Sequence, residues 1–262
     1  MSSLRLRPLK SSSKGNSTII SSDRTKILVD CGISCKLLGE SLVQLNFDPS
    51  DLDAILITHE HSDHTKGVGV VSRKYNLPVY ANAATWQSMS PQIGKINEVN
   101  KQIFVTGESF YINDVKVKSF RISHDASEPV GYVLETPASK VAVATDMGVV
   151  TDEVLSIISG SDVALIEANY DPSLLEIGTY PYELKKRIKS KLGHLCNDDC
   201  GALAKLLAES GTKEIILGHL SEDNNFPQLA LKTVENFLSG ALCSKTPPQL
   251  SVVTREGKVI SI

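Results

Sequence analysis

The sequence predicts a single mixed α/β (α+β) domain, residues 1–262, with helices packed outside two sheets. Three observations carry that prediction. Short apolar runs of strand length recur along the chain, each ending in turn residues; helical patterns stand between and after them; and no Pro-, Gly- or Ser-rich linker or short-period repeat interrupts the succession. Long β-meanders with intervening helices suit two sheets better than one doubly wound sheet. The hydrophobic share of 41% and the charged share of 22% are ordinary for a globular chain. A chain of 262 residues can bury a sizeable core without disulfide staples.

In order, Ser11 to Asn16 (S-S-S-K-G-N) reads as a loop, followed by a hairpin of Ser17 to Ser21 and Lys26 to Asp30 around the turn residues Ser22, Asp23 and Arg24. Leu52 to Thr58 is an apolar strand running into a His/Asp cluster. Lys66 to Tyr75 is a helix stopped before Asn76 and Pro78, and Pro78 to Ala81 is a strand. Further strands are predicted at Gln102 to Thr106, Phe110 to Ile112, Val115 to Ile122, Gly131 to Glu135, Lys140 to Ala144 and Asp162 to Glu167. Helices follow at Glu183 to Lys191, at Asp198 to Ser210 with Asn197 or Asp198 as cap and Gly211 as stop, and at Pro227 to Leu238. The remaining strands are Glu214 to Leu217, Gln249 to Val253 and Lys258 to Ile262.

Composition narrows the function classes. Lys plus Arg is 27 against 30 for Asp plus Glu, a formal charge of −3, so the molecule as a whole does not attract polyanions and any basic face is local. No apolar run serves as a signal-peptide core or a spanning helix, and the expectation is a cytoplasmic protein without a membrane partner. The cysteines Cys31, Cys35, Cys196, Cys200 and Cys243 are odd in number, which fits a reducing compartment. Two C-x3-C pairs make a four-cysteine zinc site conceivable, although zinc pairs are usually tighter; small buried thiols are the alternative.

The chemistry concentrates in T-H-E-H-S-D-H-T-K-G, directly after an apolar strand, which places His59, His61, Asp63 and His64 within six positions. Residues two apart at a strand end point the same way, so His59 and His61 can face one metal ion, while Asp63 and His64 on the turn into a helix can curl back toward a second. Imidazole and carboxylate ligands suit zinc, manganese or iron. A solvated polar loop is the competing interpretation, and four potential ligands at the mouth of a buried strand speak against it. Two sites need more ligands, and Asp30, His124, Asp146 and His219 each stand where an apolar run gives way to a loop. Taken singly, any of these is as well explained as a turn cap or a structural group.

The whole set, H-x-H-x-D-H with later His, Asp and His on strand ends, resembles the metallo-β-lactamase superfamily. That resemblance spans nearly the whole chain and implies a four-layer αββα sandwich holding two divalent ions. It assigns His59, His61 and His124 to one ion, Asp63, His64 and His219 to the other, and Asp146 to both, with Asp30 supporting the ligands from behind. L-I-E-A-N-Y-D and S-K-L-G-H-L-C-N resemble the paired motifs of ribonuclease Z-type phosphodiesterases and put Glu167 and His194 in the matching positions. S-S-S-K-G-N, V-D-C-G-I-S, H-D-A-S-E-P-V-G-Y and L-G-H-L-S-E-D-N-N resemble the YycJ (WalJ)-like group, which implies a bacterial DNA exonuclease acting on 5′ ends, with a place in mismatch repair or cell-wall homeostasis. Cys31 and Cys196 stand where small residues such as Ala or Ser are expected, and Ser13 and Lys14 where a Gly-Ser-Ser-Gly type turn is common. None of these departures removes a ligand.

Lys185, Lys186, Arg187, Lys189 and Lys191 form the one dense positive run and lie immediately before His194. Beside a dinuclear site they would hold the phosphates of a nucleic acid, DNA above all; a solvated helix face is the alternative. Aromatic residues are only 5%, so backbone recognition fits better than stacking on bases. The implied mechanism is hydrolysis by a hydroxide held between two cations, zinc or manganese with iron also compatible. Asp63 would orient or deprotonate the attacking water, and His194, polarised by Glu167, would stabilise or protonate the departing oxygen. Two rivals use the same metals: a small-molecule thioester or lactone hydrolase of the glyoxalase type, and a ribonuclease. A non-catalytic metal-binding module is the third class, disfavoured because every ligand position is filled.

Overall fold

The computed structural model describes residues 3–239, 247–254 and 257–261; Cys243 and Ile262 lie outside the described residues. The chain forms two compact units, one of residues 1–121 with 126–139, the other of residues 122–125 with 140–262.

In the first unit, β1 (Arg5–Ser12), β2 (Gly15–Ser21) and β3 (Lys26–Val29) run antiparallel in succession, and β4 (Ala54–Leu56), β5 (Val79–Ala81) and β6 (Lys101–Ile103) continue the sheet in parallel. Parallel neighbours need crossovers, and these are helical: α1 (Cys35–Gln44), α2 (Ser62–Thr65) with α3 (Val68–Tyr75), and α4 (Ala83–Ile93). Their apolar faces bury Leu38, Leu42, Val71, Trp86 and Met89 against Leu28, Ile55 and Val79 of the sheet. Ser34 caps α1 and Asn82 caps α4 by accepting from backbone N–H groups three residues on. The antiparallel meander β7 (Ser109–Ile112), β8 (Val115–Arg121) and β9 (Val130–Thr136) belongs to the same unit.

The second unit is built on β10 (Ser139–Ala144), β11 (Val163–Glu167), β12 (Glu214–Gly218) and β13 (Gln249–Val253), parallel throughout, with β14 (Val259–Ser261) antiparallel at the edge. Its helices are α5 (Asp152–Ile158), α6 (Pro172–Ile177), α7 (Tyr182–Ile188), α8 (Asn197–Glu209) and α9 (Pro227–Ser239). Buried on both faces, β10 to β12 read as nearly continuous Val, Ala, Leu and Ile. No described helix is long and apolar enough to cross a membrane.

Three sequence expectations are corrected. The segment Ser11 to Asn16 is a tight hairpin rather than a loop, because Ser11 and Ser12 pair with Asn16 and Gly15 and only Ser13 and Lys14 turn. Its first strand, β1, adds an element the apolar runs do not announce, alternating exposed Arg5 and Arg7 with buried Leu6 and Pro8. The cap of α8 is Cys196, whose Sγ accepts from Asp199 N, in place of Asn197 or Asp198.

Candidate functional site

In the first unit the ligand candidates gather where β3 and β4 end side by side. Asp30 leaves β3 with φ 58°, in the left-handed region that costs a non-glycine residue roughly 1–3 kcal/mol. That turn aims its buried carboxylate across the end of β4: Oδ1 accepts from Thr58 N at 2.9 Å, and Oδ2 accepts from Thr58 Oγ1 at 2.8 Å and from His64 Nδ1 at 2.8 Å. His61 opens α2, whose single turn brings Asp63 and His64 back toward the strand end. His59 and His64 are fully buried. Thr58 Oγ1, having donated to Asp30, accepts from His59 Nδ1 at 3.0 Å, so His59 Nε2 faces His61 Nδ1 at 3.1 Å. His64 Nε2 lies 3.4 Å from Asp63 Oδ2. Asn16, absent from the expected site, touches both: its Nδ2 is 3.2 Å from Asp63 Oδ2 and 3.0 Å from His64 Nε2.

In the second unit the candidates stand at the carboxyl ends of three adjacent parallel strands, where an open sheet collects its ligands. Asp146 follows β10, Glu167 closes β11 and His219 follows β12; the register aligns Glu167 with Gly218. Asp146 and His219, like Asp30, take left-handed backbone, φ 61° and 54°. His194 enters from the loop after α7. The Gly193 beside it has no room for a side chain, since a Cβ would lie 2.1 Å from Ile188 O.

Glu167 organises this group. It is fully buried; Oε1 accepts from His194 Nδ1 at 2.7 Å and His219 Nδ1 at 2.8 Å, and Oε2 accepts from Met147 N at 2.8 Å and Leu195 N at 3.2 Å. Burial alone would raise its pKa, but the two imidazoles outweigh it and hold the carboxyl well below the usual range. His219 Nε2 lies 3.3 Å from Asp146 Oδ1. His124 donates Nδ1 to Gly193 O at 3.1 Å and turns Nε2 toward Asp125 Oδ1 at 3.5 Å and Asp146 Oδ1 at 4.0 Å. Burial pushes the His124 ring below its ordinary value, against the pull of Asp146.

These residues fit divalent ions. Asp146, Glu167, His194 and His219 each bring a donor atom within 4.8 Å of the others. His64, His124, His194 and His219 all commit Nδ1 to a carboxylate or carbonyl oxygen, so Nε2 is the nitrogen each ring would offer to an ion or a substrate. No metal-capable grouping among the described residues includes a cysteine, so the four-cysteine zinc site does not form there. Burial also pushes Cys31 up to about 12 and Cys196 up to about 11, which keeps both thiols protonated.

The basic run is partly consumed within the protein. Arg187 Nε donates to Asp125 Oδ2 at 2.5 Å, Lys185 Nζ donates to Glu176 O at 2.6 Å, and Lys189 pairs with the Glu176 carboxylate. Lys186 and Lys191 are exposed. Sequence reasoning overlooks Asp125, although its place beside His124 is a signal, and it takes Asn16 only as part of a turn.

Residues 25–220 match the family described as Beta-lactamase superfamily domain. The chain is 42% identical to the exodeoxyribonuclease YycJ of Bacillus anthracis, over 90% of this chain and 89% of that one. It is 44% identical to the exodeoxyribonuclease WalJ of Streptococcus pneumoniae serotype 2, over 89% of this chain and 87% of that one. Among solved structures, the metallo-β-lactamase fold protein YhfI from Bacillus subtilis superposes with a TM-score of 0.71 at 15% identity, covering 98% of this chain and 99% of that chain, a likeness of fold.

Proposed function

We propose that this chain, which belongs to the metallo-β-lactamase superfamily and is a metal-dependent hydrolase, acts as a DNA exonuclease on 5′ ends. Support for a DNA substrate comes from the kinship with proteins named exodeoxyribonucleases. The observation that carries phosphodiester chemistry is Glu167, whose one buried oxygen holds both His194 and His219.

In that role His59, His61 and His124 would hold one divalent ion and Asp63, His64 and His219 a second, with Asp146 serving both, and zinc or manganese would be the ions. Bound there, such ions would supply a more acidic water, its pKa lowered toward about 7, and positive charge opposite the phosphoryl oxygens. The chain's own groups do the rest. Glu167 and Asp30 hold His219 and His64 with the proton on Nδ1, and Thr58 does the same for His59. Asp63 takes or directs the proton of the attacking water. His194, 19% exposed at its side chain while Glu167 is sealed, can carry a proton on Nε2 to the departing oxygen, and the Glu167 carboxylate stabilises the ring when it is charged. Lys186 and Lys191 face the polyanion, since Arg187 and Lys189 already serve internal carboxylates. A cytoplasmic setting suits the unbridged Cys31, Cys35, Cys196 and Cys200.

The test is a single comparison of manganese- and zinc-loaded protein on DNA labelled at the 5′ or the 3′ end, on RNA of the same sequence, and on a chromogenic thioester. Release of the 5′ label as mononucleotide from DNA is the expected result. Faster turnover of the thioester, or of RNA, would replace the reading with one of its two rivals. Loss of all turnover in His194→Ala with metal content kept would support the acid role of that ring.

A further inference from the structure

The β1–β2 turn carries a side chain that the ligand scheme leaves without a task. Asn16 is buried at the start of β2, and its carboxamide bridges two kinds of group. One edge is pinned to the turn: Oδ1 accepts from Ser12 N at 3.1 Å and Nδ2 donates to Ser12 O at 3.1 Å. The same Nδ2 reaches Asp63 Oδ2 at 3.2 Å and His64 Nε2 at 3.0 Å.

The backbone around this amide cannot slide. Gly32 N donates to Asn16 O at 2.7 Å, Cys31 N donates to His64 O at 2.9 Å, and Gly67 N donates to Cys31 O at 2.8 Å. These bonds tie the turn to the segment after β3, and that segment to the end of α2 and the residues just after it. The contacts are too close for side chains. A Cβ on Gly15 would lie 2.6 Å from Gly32 O, one on Gly32 1.5 Å from Asp63 O, and one on Gly67 2.1 Å from Ile33 O. Three glycines thus let three chain segments touch through backbone, and the turn holds Asn16 at a fixed distance from α2.

We propose that Asn16 is a positioning residue for divalent-ion binding, its amide N–H keeping Asp63 and His64 converged in the metal-free protein. This rests on the assignment of Asp63 and His64 as ligands of one ion. His64 is already fixed on its far side by Asp30, so Asn16 completes the pair of contacts that sets the ring's direction. An ion held by His64 would displace the amide from that ring, while the contact to Asp63 would remain. The ligands therefore need no reorganisation to receive the ion, and the affinity of that site carries the benefit.

The experiment is titration of the chelator-stripped protein with zinc alone, and separately with manganese alone, in competition with a chromogenic chelator, for wild type, Asn16→Ala and the isosteric Asn16→Asp. Asn16→Asp retains the size of the side chain and removes the N–H donors, so it reports even if Asn16→Ala fails to fold. Two binding phases are expected in wild type. In the variants one phase should weaken by about tenfold or more while the other stays unchanged. At an ion concentration that only partly fills the weakened site, kcat should fall and KM for a labelled DNA should stay the same, which separates positioning from substrate contact. Equal affinity of variants and wild type in both phases would overturn the proposal, and so would equal weakening of both phases. If wild type binds no ion in either titration, the functional reading fails first, and that result is distinguishable because it needs no variant.

Discussion

Replacing Glu167 by Gln tests the central joint of the site with almost no change in shape. The carboxylate makes four hydrogen bonds with a strict division of labour: Oε1 serves the Nδ1–H of His194 and His219, and Oε2 serves the N–H groups of Met147 and Leu195. An amide must put its NH2 on one side. Facing the backbone, it sets donors against two buried N–H groups, each costing about 1–3 kcal/mol. Facing the rings, it forces both imidazoles to accept at Nδ1 and moves their protons to Nε2, the atoms that the proposed roles in metal binding and proton transfer use. The second arrangement costs less strain but gives up two charge-assisted bonds of about 1.5–3 kcal/mol each. Either way the metal-free protein should lose about 3–5 kcal/mol, in line with breaking a buried ion pair. Urea unfolding of chelator-treated protein measures this. The same variant should bind metal about 10–100-fold more weakly and lose about 100-fold or more in turnover. A Glu167→Gln protein with wild-type unfolding midpoint, metal affinity and turnover would refute the role of Glu167 as the acceptor that fixes both rings.

Asp30→Asn probes the first unit in the same way. Asn tolerates the left-handed φ of 58° at that position, so the fold should survive while His64 loses its Nδ1 acceptor; metal affinity measured by chelator competition should drop about 10–100-fold. His124 predicts a pH dependence. Its folded pKa lies below 6.5, so the unfolded chain takes the proton first; the contribution of this ring to stability is full above 6.5 and declines as the pH falls below it. Unfolding of metal-free protein at about pH 7.5 and about pH 5.5 should show that decline, and His124→Gln should flatten it. Among the cations, Lys186→Ala and Lys191→Ala should each lower the salt dependence of DNA affinity by about 0.7–0.9 in log–log slope. Arg187→Ala and Lys189→Ala, which break internal pairs, should leave that slope unchanged when binding is measured by fluorescence anisotropy across salt.

Much of the site was legible in the one-dimensional pattern because strand ends announce themselves locally. An apolar run that stops at Asp30, His59, Asp146 or His219 marks both the strand and the residue that leaves it, and alternation at the end of β4 separates His59 and His61 from Glu60. Glu167 and His194 were less visible: nothing local distinguishes a Glu that ends an apolar run or a His after glycine, and only the family resemblance paired them. Where local signals conflicted, they misled. Ser, Lys, Gly and Asn in a row spell a loop by composition, yet β1 draws all but two of those residues into a hairpin. Cys196 caps α8 although a thiol is not among the usual capping groups.

Residue types, strand ends and the run of positive charge were thus decided by the sequence alone, since each depends on neighbours a few positions away. The tertiary structure decided which atoms face one another. Asn16 meets Asp63 across 47 positions of chain, Arg187 meets Asp125 across 62, and Glu167 meets His194 and His219 across 27 and 52. Those pairings fix ring tautomers, select which cations are paired within the protein and place carboxylates behind the candidate ligands. They follow from parallel strand order and crossover length, and no periodicity within a short window encodes them.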